Sequence, residues 1–219
     1  MAGTLIIPRT RAGWQVSRRV PGILLFVLAA QFMAVIMLAA SMAPGYDFAG
    51  GAISDLGVIP DTALLFNVSL VTVGLLNLAG GYTLYRSHGE FWILAIFGLA
   101  GVGATGAGLV PLDTSDLHGI FALFAFLFFN IEAIACAAFV RGPMRAFSAL
   151  AGIVGLAFVV MMVIGDSGNA AVFGPIGHGG AERMIVYPPM LWMLAFGGYL
   201  MAGDPRGGLR PESGQPADE

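Results

Sequence analysis

Six long apolar stretches constrain this 219-residue chain more than any other feature. Arginines precede the first stretch, follow the sixth, and lie between the second and third and between the fourth and fifth. A helix needs roughly 20 apolar residues to cross the hydrocarbon core of a bilayer. The stretches cover about residues 20–43, 62–85, 91–109, 117–140, 146–165 and 184–201. Their apolar runs are continuous, so they lack the alternation of membrane β-barrel strands. Because lipid offers no partners to backbone polar groups, the sequence predicts an all-α integral membrane protein built as a six-helix bundle.

Composition supports the same class. Hydrophobic residues make up 58% of the chain and charged residues 11%, whereas soluble domains contain about 25% charged residues. We therefore predict a cytoplasmic Arg-rich segment over 1–19, a six-helix membrane domain over 20–202 and a disordered cytoplasmic tail over 203–219. The single cysteine, Cys136, allows no intrachain disulfide.

The arginines predict the orientation. All ten basic residues are arginine, and nine of them fall on one side if the helices alternate. These nine are Arg9, Arg11, Arg18, Arg19, Arg86, Arg141, Arg145, Arg206 and Arg210. Cytoplasmic loops carry the excess of positive charge, so both termini are predicted in the cytoplasm of a multi-pass plasma-membrane protein. The two long Gly-rich loops, over 44–61 and 166–182, are then extracytoplasmic, as is Arg183.

Polar residues collect in these predicted outer loops and suggest a ligand site. Three clusters stand out, at 54–57, at 113–118 and at 166–183. Asp55, His118, Glu182 and Arg183 are the principal candidates for contacting a ligand, with Arg183 and His118 on its head group and Asp55 orienting His118 or a loop amide. Further candidates are Ser54, Asp116, Asp166 and His178. Simpler alternatives are that Asp116 caps the fourth helix and that Glu182 and Arg183 form a surface ion pair worth roughly 0–1 kcal/mol.

Inside the helices, Glu132 is the only acidic residue. Carboxylates in a membrane interior are rare and suggest function by default. A structural hypothesis is preferred here, in which Glu132 bonds to Asn77 or Gln31. The alternative is a proton path in an ion-coupled transporter, with Asn77 lining a polar cavity.

Small residues and prolines predict two local features. Gly101, Thr105 and Gly108 share one face of the third helix, which lets a neighbouring helix approach closely. The consecutive prolines Pro188 and Pro189 remove backbone donors, so residues 182–187 are expected to form a separate, angled segment.

Several of these segments together resemble a known family. They are Ile53-Ser54-Asp55-Leu56-Gly57, Phe66-Asn67, the Gly-rich third helix ending at Pro111, His118, and Gly180-Ala181-Glu182-Arg183 before Trp192. The pattern resembles the prokaryotic membrane-protein family called domain-of-unknown-function family 998, over about residues 20–202. The resemblance implies a six-helix membrane protein and no established reaction.

The functional prediction is an outward-facing polar pocket that binds a lipid or another small amphipathic ligand. One alternative is a metal-dependent hydrolase acting on lipid at the outer leaflet, in which Asp55 and His118 would be ligands of zinc. Others are a structural subunit and an ion-coupled transporter. No cofactor, catalytic residue or nucleic-acid partner is predicted. Membrane lipids are the expected partners, and a homo-oligomer or a membrane-protein partner stays open.

Overall fold

The computed structural model describes residues 11–202, with side chains from Arg18 onward, and contains six α-helices in that range. They are α1 (Arg11–Met42), α2 (Ala63–His88), α3 (Phe91–Leu109), α4 (Leu117–Cys136), α5 (Pro143–Asp166) and α6 (Gly177–Ala202). All six are long and apolar enough to cross a membrane, and no strand occurs among the described residues. The predicted all-α, six-helix membrane protein is thereby confirmed.

The predicted bounds differ from the structure mainly at helix ends. Helix α1 already begins at Arg11, so residues 11–19 of the predicted N-terminal segment are helical. Residues 1–10 of that segment and the predicted tail 203–219 lie outside the described residues. The fourth helix ends at Cys136, earlier than predicted, and α5 begins at Pro143.

Helix α6 corrects the expectation of a separate segment over 182–187, because it runs unbroken through Pro188 and Pro189. Since proline has no N–H, Pro189 leaves the carbonyl of Ile185 without its helical donor. Asn130 of α4 supplies one, because its Nδ2 donates to Ile185 O at 3.1 Å. The donor from a neighbouring helix replaces the missing backbone bond, which is how proline is tolerated in membrane helices.

The six helices form a closed ring in which each contacts the next along the chain and α6 returns to α1. Large side chains fill its centre, among them Leu28, Phe97, Trp192 and Phe196. Trp192 also donates to Ser148 Oγ at 2.8 Å, which joins α6 to α5.

Helices α2 and α3 lie close together along their small residues. A Cβ on Gly74 would overlap Gly101 O and the side chain of Thr105. A Cβ on Gly108 would lie 2.9 Å from Asn67 O. The predicted small-residue face of the third helix is confirmed, and only glycine permits this approach.

One end of the bundle carries the features that matter for function, and we call it the loop end. It comprises loop 1 (residues 43–62, between α1 and α2), the turn at 110–116, and residues 167–176. Loop 1 contains a short 3₁₀ helix, Ser54–Gly57, and residues Ala170–Ile176 form another. Loop 1 is docked onto the start of α6, where the amide of Gly179 donates to Ala49 O at 2.9 Å.

Candidate functional site

Arg183 fastens loop 1 to α6. Its Nη1 donates to three carbonyl oxygens, those of Phe48 at 2.8 Å, Gly51 at 3.0 Å and Gly179 at 2.7 Å. Its Nη2 donates to the hydroxyl of Tyr46 at 2.6 Å. The guanidinium also lies 4.8 Å from the centre of the Phe48 ring and 5.6 Å from that of Tyr46, distances at which cation–π attraction operates. A single buried side chain thus holds loop 1 at several points.

Tyr46 and Asp47 complete the hydrogen bonding inside loop 1. The Tyr46 hydroxyl donates to Ala52 O at 2.6 Å, and burial raises the pKa of Tyr46 while the nearby Arg183 charge opposes that rise. The Asp47 carboxylate accepts from the amides of Ala49 at 3.0 Å and Gly50 at 2.8 Å. These two amides lower the pKa of Asp47, because they stabilise its charged form.

Glu182 contacts a different part of loop 1. Its Oε2 accepts a hydrogen bond from the amide of Ile53 at 2.6 Å, directly before the 3₁₀ helix Ser54–Gly57. Glu182 is 4% exposed and Arg183 7% exposed, and their side chains bond to separate stretches of the loop. They do not form the surface ion pair that the sequence offered as the simpler alternative.

Glycines make this docking sterically feasible. A Cβ on Gly179 would overlap Gly51 O, and one on Gly177 would overlap Ala49 O. Gly177 also has a φ of +66°, which disfavours any residue with a side chain. The Gly-rich character of this segment therefore reflects close backbone contact with loop 1.

Beside this joint, an open groove of about 570 Å³ runs between α4 and α5 at the loop end. An internal cavity of about 60 Å³ lies behind it, between α2, α4 and α6. Groove and cavity share part of their walls: Ser54, His118, Ala122, Phe126, Glu182 and Ile185.

The groove is amphipathic. Its polar residues are Ser54, Asp55, His118, Asp166, Ser167, His178 and Glu182. Its apolar walls include Leu123 and Phe126 of α4, and Val159, Met162 and Val163 of α5. Polar groups therefore concentrate at the loop end, and the apolar part of the groove extends from them along the two helices.

His118 is the buried polar side chain that lines both the groove and the cavity with a ring nitrogen left open. The residue is 5% exposed, and its Nδ1 lies 2.8 Å from Val110 O. A carbonyl oxygen only accepts, so Nδ1 carries the proton, and in the neutral ring Nε2 is an acceptor. Among the described residues, no hydrogen-bond partner of Nε2 is found.

The remaining candidate residues fall into two groups. Asp55 lines the groove and bonds to a loop amide, since its Oδ2 accepts from Ala52 N at 2.8 Å. Asp166 and His178 form a half-exposed pair at 3.2 Å on the groove rim. Asp116 directly precedes α4 and makes no side-chain cap, and neither it nor Arg183 lines the groove or the cavity.

Metal binding receives no support from the arrangement of side chains. Within residues 11–202, no three His, Cys, Asp or Glu side chains are grouped so that they could hold a metal ion. Asp55 and His118, named as zinc ligands in the hydrolase alternative, both line the groove without a third ligand beside them.

The sequence of the folded bundle matches a family model. Residues 26–199, most of the chain, match the family described as Protein of unknown function (DUF998). The chain belongs to the DUF998 family. No curated protein and no solved structure matches it.

Two of the segments that resembled this family face each other in the structure. Residues 53–57 contain the amide that Glu182 accepts from, and residues 180–183 contain Glu182 and Arg183. Ile53 and Glu182 are 129 residues apart in the sequence, and the hydrogen bond between them joins the two segments. In this DUF998 protein, residues of both segments therefore contribute to the polar end of the groove.

Glu132 and Asn77 lie apart from the groove, in the middle of the bundle. Both are 0% exposed, and Asn77 Nδ2 donates to Glu132 Oε1 at 2.7 Å and to Phe97 O at 3.0 Å. Gln31, the other partner predicted for Glu132, instead accepts from Ser69 at 2.7 Å. The predicted bond between Glu132 and Asn77 is confirmed, and it links α2, α3 and α4.

Sequence reasoning missed two residues that shape the site. Tyr46 anchors both Arg183 and loop 1, and no pattern distinguishes it from other loop aromatics. Asn130 lines the cavity and donates to Ile185 O, the carbonyl that Pro189 leaves without a helical donor. A signal for Asn130 did exist, because a buried amide in an apolar helix and a proline pair in another helix each need a partner.

Proposed function

We propose that this protein binds a lipid or another small amphipathic molecule in the groove between α4 and α5. The observation that carries the proposal is the groove itself, with polar groups at the loop end and apolar walls below them. Ligand pockets typically combine apolar walls with a few placed polar groups in a volume of about 300–1,000 Å³. The groove, at about 570 Å³, has the size and composition for such a ligand.

The proposed ligand would enter from the membrane side. Leu123 of α4 and Val163 of α5 both line the groove, and they are 45% and 53% exposed on the outer surface of the bundle. In a bilayer this surface faces acyl chains, so an apolar tail could slide between the helices without crossing water. With the orientation that the arginines predict, the polar end would lie at the outer leaflet.

The internal cavity would receive only a small part of the ligand. Its volume of about 60 Å³ is several times the roughly 10–15 Å³ that one water needs. It is well below the 150 Å³ of a cavity that binds benzene. The cavity, lined mostly by apolar side chains, would accommodate the end of an apolar side group passing His118.

Arg183 has a positioning role in this proposal. Its donors are directed at loop 1, so it would hold Ser54 and Asp55 at the groove and not contact a head group. Asp55, likewise, would present its carboxylate to the ligand while one oxygen stays bonded to the amide of Ala52.

Plugging the groove tests the proposal. The double variant Leu123→Trp, Val163→Trp places two indole rings where the tail would lie, at sites already exposed to the membrane. The control is Leu150→Trp, on the same helix as Val163 and 60% exposed. Native mass spectrometry of the released protein should show a bound lipid-sized mass in the wild type and the control. That mass should fall at least about tenfold in the plugged variant.

Equal retention in the plugged variant and the control would overturn the proposal. Both proteins must unfold at temperatures close to the wild type for the comparison to hold, and the exposed positions of all three residues make this the expected result. Surface substitutions usually change stability by no more than about 0.5 kcal/mol.

A further inference from the structure

Resting on the proposed function, we further propose that the groove selects an amphiphile whose head group carries an amine. The ligand class follows from the charges and hydrogen-bonding groups at the polar end, which accept far more than they donate. Three observations support this.

The first observation is the charge of the lining. Asp55, Asp166 and Glu182 contribute carboxyl groups, and among the described residues no arginine lines the groove. The chain contains no lysine. Arg183 is the nearby cation, and its Nη atoms are already bonded to loop carbonyls and to Tyr46.

The second observation is the open nitrogen of His118. His118 is only 5% exposed. Its Nδ1 carries the proton, because Nδ1 donates to the carbonyl oxygen of Val110. Nε2 is therefore an acceptor that lines the groove with no partner among the described residues. An acceptor that lines a groove and has no partner within the protein favours a ligand that brings a donor.

The third observation concerns His178, the other basic group of the lining. When protonated, it is compensated by Asp166, which lies 3.2 Å away on the rim. It thus adds no uncompensated positive charge, and Asp55 and the His118 acceptor remain available. An ammonium group has three donors and no acceptor, which matches this set.

Anionic head groups fit poorly for the same reasons. A carboxylate or phosphate placed among Asp55, Asp166 and Glu182 would meet carboxyl groups and no uncompensated cation of the lining. Phosphate sites in proteins usually present arginine, lysine or clustered amides, and the amides nearest the groove, such as that of Ile53, already donate to protein carboxylates.

The test uses the full-length protein in phosphatidylcholine nanodiscs at pH 8, where an alkyl ammonium is still charged. Three photoactivatable sixteen-carbon probes differ only in the head group, which is a primary amine, an alcohol or a carboxylic acid. Trypsin cleavage at Arg86, Arg141, Arg145 and Arg183 yields one peptide with α3 and α4, one with most of α5 and the first turns of α6, and one with the rest of α6. Labelling of each peptide is measured relative to labelling of the surrounding lipid, which corrects for partition.

We expect the amine probe to label the α4 and α5 peptides at least tenfold more than the acid, with the alcohol between them. The double variant Asp55→Asn, Asp166→Asn should remove most of that preference. Its matched control, Asp113→Asn, alters a carboxylate of the loop end outside the groove and should preserve it.

The outcomes separate the two proposals. Equal labelling of the groove peptides by all three probes, blocked by the plugged variant, would overturn the amine preference and leave ligand binding intact. A preference for the acid would do the same. Labelling that the plugged variant does not reduce, for any probe, would overturn both.

A final arm identifies the source of the amine. Nanodiscs containing phosphatidylethanolamine are compared with those of phosphatidylcholine alone. If phosphatidylethanolamine suppresses amine labelling, the amine belongs to a membrane-lipid head group. If it does not, while the free alkyl amine still labels, the ligand is a single-chain amine.

Discussion

The loop end and the middle of the bundle both bury ionisable side chains, but they satisfy them in opposite ways. At the loop end, Arg183 and Glu182 bond to backbone groups of loop 1, so the partners come from a folded loop. In the middle, Glu132 and Asn77 bond to each other across helices. Each region leaves buried atoms without a partner among the described residues, namely Glu132 Oε2 and Asn77 Oδ1 in the middle and Arg183 Nε at the loop end.

This difference indicates what each region contributes. The joint at the loop end fixes the shape of a loop, and the other side of that loop carries Ser54 and Asp55 in the groove. The central pair joins helices and lines neither the groove nor the cavity. Burial of a charged residue type is therefore no sufficient sign of a ligand site, and the identity of its partners distinguishes the cases.

The strongest test of the loop-end joint is Arg183→Met. The substitution removes the guanidinium donors to three carbonyl oxygens and to the Tyr46 hydroxyl. Each hydrogen bond to a charged group contributes roughly 1.5–3 kcal/mol, and because one side chain makes them all, we expect a combined loss of about 3–5 kcal/mol. Thermal unfolding and chymotryptic cleavage near Tyr46 and Phe48 would measure it.

Arg86→Met is the control for that experiment, since Arg86 is exposed and donates to the hydroxyl of Tyr82, one turn earlier in its own helix, at 3.1 Å. If Arg183→Met unfolded at the same temperature as Arg86→Met and kept loop 1 resistant to protease, the joint would have no stabilising role.

A smaller effect is expected from Gly179→Ala. Its methyl group would overlap Gly51 O and approach Arg183 Nη1 to 2.8 Å, so loop 1 must shift. Overpacking of this kind costs about 1–3 kcal/mol. Gly198→Ala, in the same helix, meets nothing within 4 Å and should be neutral or stabilising by at most about 1 kcal/mol. Identical unfolding temperatures for the two variants would contradict close docking of loop 1 on α6.

The central pair is tested by two substitutions of Glu132. Glutamine keeps an acceptor for Asn77 Nδ2 and adds an N–H that can donate to Asn77 Oδ1, so we expect a change of less than about 1 kcal/mol. Alanine leaves a cavity and removes one of the two acceptors of the Asn77 amide, so it should cost about 2–4 kcal/mol. If glutamine destabilised the protein as much as alanine, or abolished ligand retention, the assignment of a purely structural role to Glu132 would be wrong.

The sequence predicted the helices well because length and apolar composition alone determine them in a membrane. The prediction of a break at Pro188 and Pro189 was wrong, since Asn130 on another helix supplies the hydrogen-bond donor that Ile185 O lacks. Local rules for proline contain no information about that neighbour. The small-residue contact of α2 and α3 was predictable, because glycine spacing on one helix face directly limits how close a partner can lie.

The groove was only partly predictable. Residue type and predicted sidedness selected Asp55, His118, Asp166, His178 and Glu182, and the structure places all of them along it. Arg183 has the same residue-level signal but faces loop 1, because its partners are backbone carbonyls as far as 135 residues away. A carbonyl has no side-chain signature, so no sequence pattern could have separated Arg183 from the groove residues.

The smallest predicted effect concerns Asp47 and acid. The amides of Ala49 and Gly50 lower the pKa of Asp47 below its ordinary 3.8, so the folded loop favours the carboxylate. Its contribution to stability is present above pH 3.8 and is lost as the pH falls through the lower folded value. The difference in unfolding temperature between wild type and Asp47→Asn should therefore be small at pH 6 and shrink further by pH 3.

Asp61→Asn, at another exposed aspartate of loop 1, controls for the general effect of removing a charge. If the Asp47→Asn difference were the same at both pH values, or matched that of Asp61→Asn throughout, the two amides would not stabilise the charged form. The stability of loop 1 would then owe nothing to the charge of Asp47.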